Sequence, residues 1–258
     1  MGLIKSAFSL LIFQPLLNLL IVLYMIFPDF GVAIILFTII TKLATLPLTK
    51  KSIESQKAMQ DIQPELKKLQ EKYKKDKAML GQKSMELYKE HGVNPAGGCL
   101  PIILQMVFII GLFQVLRLTL DTSPEALNRV SELLYGFIEN PGTPNQIAFG
   151  FFDLNSPSIP LAIVAAALQF FQSKMMMAKT EKEQAARDKK NGVVKKDDEE
   201  PDFSSMIQKQ MLYMGPVMTL IIGAKFAGGL ILYWTISTIF MIVQQYYVLK
   251  KEEDKTKS

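Results

Sequence analysis

The sequence predicts an all-α, polytopic membrane protein, and three observations carry that prediction. Apolar residues make up 49% of the 258 positions. Five strongly apolar runs, 31–48, 100–116, 159–171, 211–224 and 229–249, approach or reach the roughly 20 residues a helix needs to cross hydrocarbon. The connections between them alternate between Lys-rich and acidic, which is the pattern the positive-inside bias produces in a multi-pass chain. The same composition narrows the chemistry. One cysteine, Cys99, excludes an intramolecular disulfide, and the single His91 has no Cys neighbours with which to build a metal cluster. No metal, cofactor or enzymatic chemistry is expected. A formal charge of +5, unevenly spread, reads as membrane orientation rather than as DNA binding.

Taken in order, residues 1–28 hold an apolar stretch, 8–27, that is long enough to span. Lys5 precedes it as in a signal peptide, but no small-residue cleavage site follows, so no removable signal is expected. Gln14, Pro15 and Asn18 interrupt it within about a turn, which favours a helix lying in the outer interface. A two-span hairpin turning at Pro28 and Asp29 satisfies the charge rule equally well, and sequence leaves both open.

The first core span is placed at 29–49. Residues 50–96 follow, with eleven Lys between positions 49 and 93, and are expected in the cytoplasm. Ile62, Leu66, Leu69 and Tyr73 recur at spacings of four, three and four, and Met79, Leu80, Met85, Leu87 and Tyr88 repeat the habit after "KYKKDK". That is a helical hairpin, with a restart at Pro64. The second span, 97–118, leads to an extracytoplasmic connection, 119–157, with five acids against Arg129 alone. The third span, 158–177, and the fourth, 209–225, are short and suit a thinned bilayer or burial among other helices. Between them lies 178–208, where "EKEQAARDKKNGVVKKDDEEPD" is almost free of large apolar residues and is expected to be a mobile linker. The fifth span, 229–249, ends in a basic tail, 250–258. The N-terminus is then outside and the C-terminus inside.

Within this frame Lys42 is anomalous. Thr38, Thr41, Lys42, Thr45 and Thr49 stand at i, i+3, i+4, i+7 and i+11, one face of a helix. Lys42 is six residues from Leu48, about 9 Å of rise, so its chain can snorkel toward the headgroups. Snorkelling accounts for the cation but not for threonines on the same side. A central charge costs at least ~2.5 kcal/mol on insertion scales and normally faces a wet cavity where it works. Gln105 in the second span, Gln169 and Gln172 in the third, and Trp234, Ser237, Thr238, Met241 and Gln245 in the fifth are further groups for the same cavity. Each has a plainer role: a lone Gln is commonly interhelical glue and Trp234 an interfacial aromatic. Gln244 and Gln245 are expected near the interface.

Three segments carry a resemblance. "NPAGGCLPIILQM", 94–106, is similar to the loop-to-span signature of YidC-type membrane protein insertases of the wider Oxa superfamily, and "KLATLPLTKKS" and "GGLILYW", followed by "QQ", bracket it at the distances that family shows. The resemblance covers about 14–248. It implies a five-transmembrane-helix insertase core with a cytoplasmic hairpin and an N-terminal interfacial helix, and it implies a cation at Lys42, where relatives commonly carry Arg. Thr38, Gln105 and Trp234 occupy the matching groove positions. Val107 and Ala227 stand where relatives commonly have Pro, and Thr238 where they have Asn.

The implied function is insertion of small or short-tailed membrane proteins through a hydrophilic groove open to cytoplasm and lipid, in the plasma (inner) membrane of a prokaryote. Substrate-groove residues are then Lys42, Thr38, Thr41, Thr45, Gln105, Gln169, Trp234 and Thr238. Nascent membrane proteins and lipids are the implied partners, with the ribosome and the Sec translocon as candidates. Met59, Met79 and Met85 offer adaptable contacts on the hairpin. A transporter or channel is the alternative; the chain shows neither paired intramembrane ionisable groups nor an internal repeat. An assembly scaffold is compatible with the same surface.

Overall fold

A computed structural model describes residues 7–94, 100–190 and 203–257. The fold is helical throughout, save for one two-stranded hairpin. A π-helical stretch, Ser9–Phe13, runs into α1, Gln14–Ile26; α2 is Phe30–Asp61, α3 Gln63–Lys72, α4 Lys77–Glu90, α5 Leu100–Thr119 and α6 Pro124–Leu133. After β1, Ile147–Ala148, and β2, Phe152–Asp153, come α7, Ile159–Lys190, α8, Phe203–Gly223, and α9, Gly228–Lys257. Among the described residues three stretches are long and apolar enough to cross a membrane, Ser9–Ile26, Phe30–Ser55 and Gly228–Val248, and three shorter apolar ones are Ile103–Thr119, Ile159–Met175 and Leu212–Gly223.

Two compact units divide the chain. The first takes residues 1–44, 104–169 and 215–242. Its core is built on helix periodicity: Phe30, Ala33, Ile34 and Phe37 of α2 fall at i, i+3, i+4 and i+7 and are all fully buried. They pack in one cluster with Leu17 and Leu20 of α1, Leu112 and Val115 of α5, and Leu230 and Tyr233 of α9. The opposite stripes stay apolar and exposed, as lipid-facing surfaces should: Ile40 and Leu43 on α2, Met106 and Ile110 on α5.

Capping fixes one end of this unit. Asp29 accepts from the backbone N–H of Gly31 (2.8 Å) and Val32 (3.1 Å) with one carboxylate oxygen, an N-cap for α2, and from the N–H of Phe149 (2.6 Å) with the other. Phe149 and Gly150, at φ 55° and 77°, form the tight turn of the β-hairpin. Nearby, the Gln146 side chain donates to Leu120 O (3.1 Å), tying the end of α5 to the same loop. The end of α1 and the start of the π-helical stretch before it both meet this end of the unit: Tyr24 packs edge-on to Phe30 at 5.4 Å, and Phe8 and Ser9 share a cavity with Arg117 and Leu118. In between, Gln14 and Asn18 donate to Leu133 O (both 3.0 Å), and Asn18 Oδ1 accepts from Tyr135 N (2.7 Å). The polar residues that interrupt the N-terminal apolar stretch are thus a staple to α6.

The second unit takes residues 45–103, 170–214 and 243–258. Here α3 and α4 pair as a hairpin, with Ile62, Leu66, Leu87 and Val93 buried. Pro64 opens α3 with Glu65 in its first turn, and Asp76 caps α4 through Met79 N (3.0 Å). The first arm starts well after position 50, because α2 runs unbroken past Pro47 to Asp61; Met59 therefore belongs to α2. Helix α7 likewise continues through "EKEQAARDKK" to Lys190, where the composition predicts a linker, because Glu, Lys, Gln, Ala and Arg are strong helix formers. Of that expected linker 191–202 lies outside the described residues, as do 95–99 of the loop-to-span motif.

Candidate functional site

The inward stripe of α2 changes chemistry along its length. Below Phe37 the positions that continue it are Thr38, Thr41 and Lys42, all buried, with Lys42 only 8% exposed. Its ammonium donates to Gln105 Oε1 of α5 at 2.7 Å. A charge-assisted hydrogen bond to an amide partly replaces the hydration that a buried ammonium loses. The side chain is turned into the unit.

Helix α9 completes the cluster. Tyr233, buried in the first unit's core, directs its hydroxyl toward Gln105 and Ser237. Ser237 is itself buried, and its oxygen makes no hydrogen bond of ordinary geometry among the described residues. Thr238 is buried and donates to Trp234 O (2.9 Å), while Trp234 is half-buried. A cation, an amide, a phenol and a hydroxyl thus converge from three helices, with spare acceptor capacity on the amide and hydroxyl oxygens.

The threonines bond within their own helix. Thr38 donates to Ile34 O (2.6 Å) and Thr41 to Phe37 O (2.9 Å), so their hydroxyl protons serve their own helix. Thr45 is half-buried. Gln169 is not brought to the cluster. It bonds the Thr219 hydroxyl of α8, and its amide nitrogen lies 3.1 Å from where a Cβ on Gly215 would stand. Together with Ala162, which closes on Gly223, it forms the α7–α8 seam. In the second unit Gln244 and Gln245, expected at the interface, are buried; Gln244 donates to Thr49 Oγ1 at 2.7 Å. Tyr233 was absent from the sequence-based set because a tyrosine in an apolar run reads as core or interface.

Fold and site together define a helical membrane protein that keeps a cation-bearing polar cluster among its apolar helices. The chain belongs to the 60Kd inner membrane protein family, whose profile matches residues 22–255. It is similar to proteins named membrane protein insertase YidC. The one from Fusobacterium nucleatum subsp. nucleatum is 34% identical over 223 residues, 86% of this chain and 87% of that protein. The one from Pelobacter propionicus is 32% identical over 241 residues, 93% of this chain but 39% of its own length. A crystal structure of an active YidC insertase with its first transmembrane domain resolved matches at TM-score 0.54 and 21% identity, over 91% of this chain and 45% of that one. The chain is thus nearly coextensive with the Fusobacterium relative and spans less than half of the other two. Family and apolar helices make it a multi-pass inner-membrane protein.

Proposed function

We propose that the protein inserts small or short-tailed membrane proteins into the bilayer, using the Lys42 cluster as the polar floor of a groove open to the cytoplasm and to lipid. The observation that carries this reading is the Lys42–Gln105 hydrogen bond: an ammonium held inside an apolar helix set, on the face away from Ile40 and Leu43. The energetics identify the step that needs help. An apolar segment enters lipid downhill, Leu, Ile and Phe each contributing about −0.3 to −0.6 kcal/mol at a helix centre, whereas each Asp or Lys costs about 2.5 to 3.5. A fixed cation with amide and hydroxyl acceptors beside it offsets part of that cost for a short acidic tail, and shortens the dry path it travels. No covalent step is involved.

In the same reading the N-terminus is outside, α1 lies along the outer face, and the α3–α4 hairpin is cytoplasmic. Exposed Met79 and Met85 on that hairpin give adaptable apolar contacts for an arriving chain or a targeting partner. The test is complementation in cells depleted of their own insertase. Lys42→Ala is expected to lose insertion of acidic-tailed single-span proteins, and Lys42→Arg to keep it, since the fork still reaches Gln105. Full insertion by Lys42→Ala would remove the cation from the mechanism.

A further inference from the structure

A cavity of about 700 Å³ lies beside the N-terminal helix, remote in chemistry from the Lys42 cluster. One wall is apolar and includes Phe13, Ile110 and Leu118; the other presents Arg117, Asp121 and Arg129. Ile110 is 44% exposed on the lipid-facing stripe of α5, so the apolar wall continues into the surface that meets acyl chains. Arg117 closes the last turn of α5, which places the polar wall where an apolar helix ends and headgroups begin.

The charges are not symmetrical. Asp121 is engaged by Ser123, whose N–H donates to it at 2.9 Å, and it lies in the field of Arg117. Among the described residues neither Arg117 nor Arg129 has a carboxylate within ion-pair distance, and Asp121 is the one carboxylate in the lining. The polar wall therefore carries one unbalanced positive charge, and two guanidiniums able to fork onto oxygens. A singly charged phosphodiester balances it. An apolar wall of this size next to it has no use for a free inorganic anion and suits a chain attached to that phosphodiester.

We propose that this cavity binds one membrane phospholipid, with its phosphodiester between Arg117 and Arg129 and an acyl chain along Phe13, Ile110 and Leu118. The lipid wedges between the start of the N-terminal helix and α5, and so ties that helix to the bilayer as well as to α6. The site is independent of the insertion mechanism, and its failure would leave the Lys42 reading untouched.

The experiment is native mass spectrometry of the full chain, purified in detergent, stripped of lipid and titrated with dioleoylphosphatidylglycerol. The expected result is one retained lipid, weakened about ten-fold or more by Arg117→Gln with Arg129→Gln, and held within about three-fold by the paired Arg→Lys changes. Both arginines are exposed, and an unchanged thermal transition in the Gln pair confirms that folding is intact. Retention by the Gln pair equal to the parent's overturns the proposal. Equal retention of dioleoylglycerol, which lacks the phosphate, overturns it in favour of an apolar cleft. Displacement of the lipid by millimolar inorganic phosphate overturns it in favour of a free-anion site.

Discussion

Asp29 shows how one side chain joins distant parts of the sequence. Its two oxygens cap α2 and hold the N–H of Phe149, a residue 120 positions away that sits in the left-handed region. That conformation is costly for a phenylalanine, so it persists because the carboxylate and the hairpin fix it. Asp29→Ala removes the cap and the turn anchor together. Its expected cost is about 1–3 kcal/mol, read as a lowered thermal transition in detergent, with faster amide exchange confined to 146–156 and the first turn of α2. Lys42 is the opposite case, a residue whose position costs stability. Removing the ammonium from a buried site is expected to leave folding intact or improved while insertion falls, which separates its role from Asp29's.

Among the elements, the α7–α8 seam depends on small residues. A Cβ on Gly223 would lie 2.5 Å from Ala162 Cβ, so these helices touch there almost backbone to backbone. Gly223→Val is expected to force them apart and lower the thermal transition sharply. Gln169→Leu, which removes only the bond to Thr219, is expected to cost about 0.6 kcal/mol, typical of an interhelical hydrogen bond in lipid. A larger effect from Gln169→Leu than from Gly223→Val, in the same denaturation assay, would show that polar contact and not close packing holds the seam. Local signals made several elements legible: Pro64 marks one hairpin arm by start chemistry, and the apolar spacing after "KYKKDK" marks the other. Other features were not, because their causes are remote. Gln14 and Asn18 read locally as polar breaks in an apolar run; that they also bind Leu133 and Tyr135, more than a hundred residues on, is not readable there. Gln169 and Gln105 are indistinguishable as lone amides in apolar runs, and only the register of the neighbouring helices assigns one to a seam and the other to a cation. The period of the Thr38–Lys42 face was readable; that the threonine protons return to their own backbone was not.

For the molecule as a whole, the connection between α5 and α7 is the acid-sensitive part. Asp153 is held below the ordinary carboxylate value of 3.8, first by the Ser156 hydroxyl and then by the N–H of Asn155; Asp121 is lowered by Ser123 and, less, by Arg117. A lowered folded pKa means that the contribution is complete above the ordinary value and is lost as pH falls from there through the lowered value. Because Asp121 is exposed and Asp153 only half-buried at the surface, the effect is local loosening rather than unfolding. Amide-exchange protection, corrected for the intrinsic pH dependence of exchange and followed from pH 7 to about pH 2, should fall in 121–123 and 153–156 while the helical cores keep theirs. Uniform acceleration across the helices would contradict this.

The stripe on α2 that begins at Phe30 and ends at Lys42 has one further consequence. The hydrophobic anchor and the charged group sit on a single rigid rod in one angular phase, so the azimuth of the cation is inherited from the packing above it. Lengthening or shortening the rod between Phe37 and Thr38 by one residue swings the amine through about 100° toward lipid, whereas a change of seven residues, close to two full turns, restores its bearing at a different depth. In this architecture, depth is adjustable only in coarse steps, and direction scarcely at all.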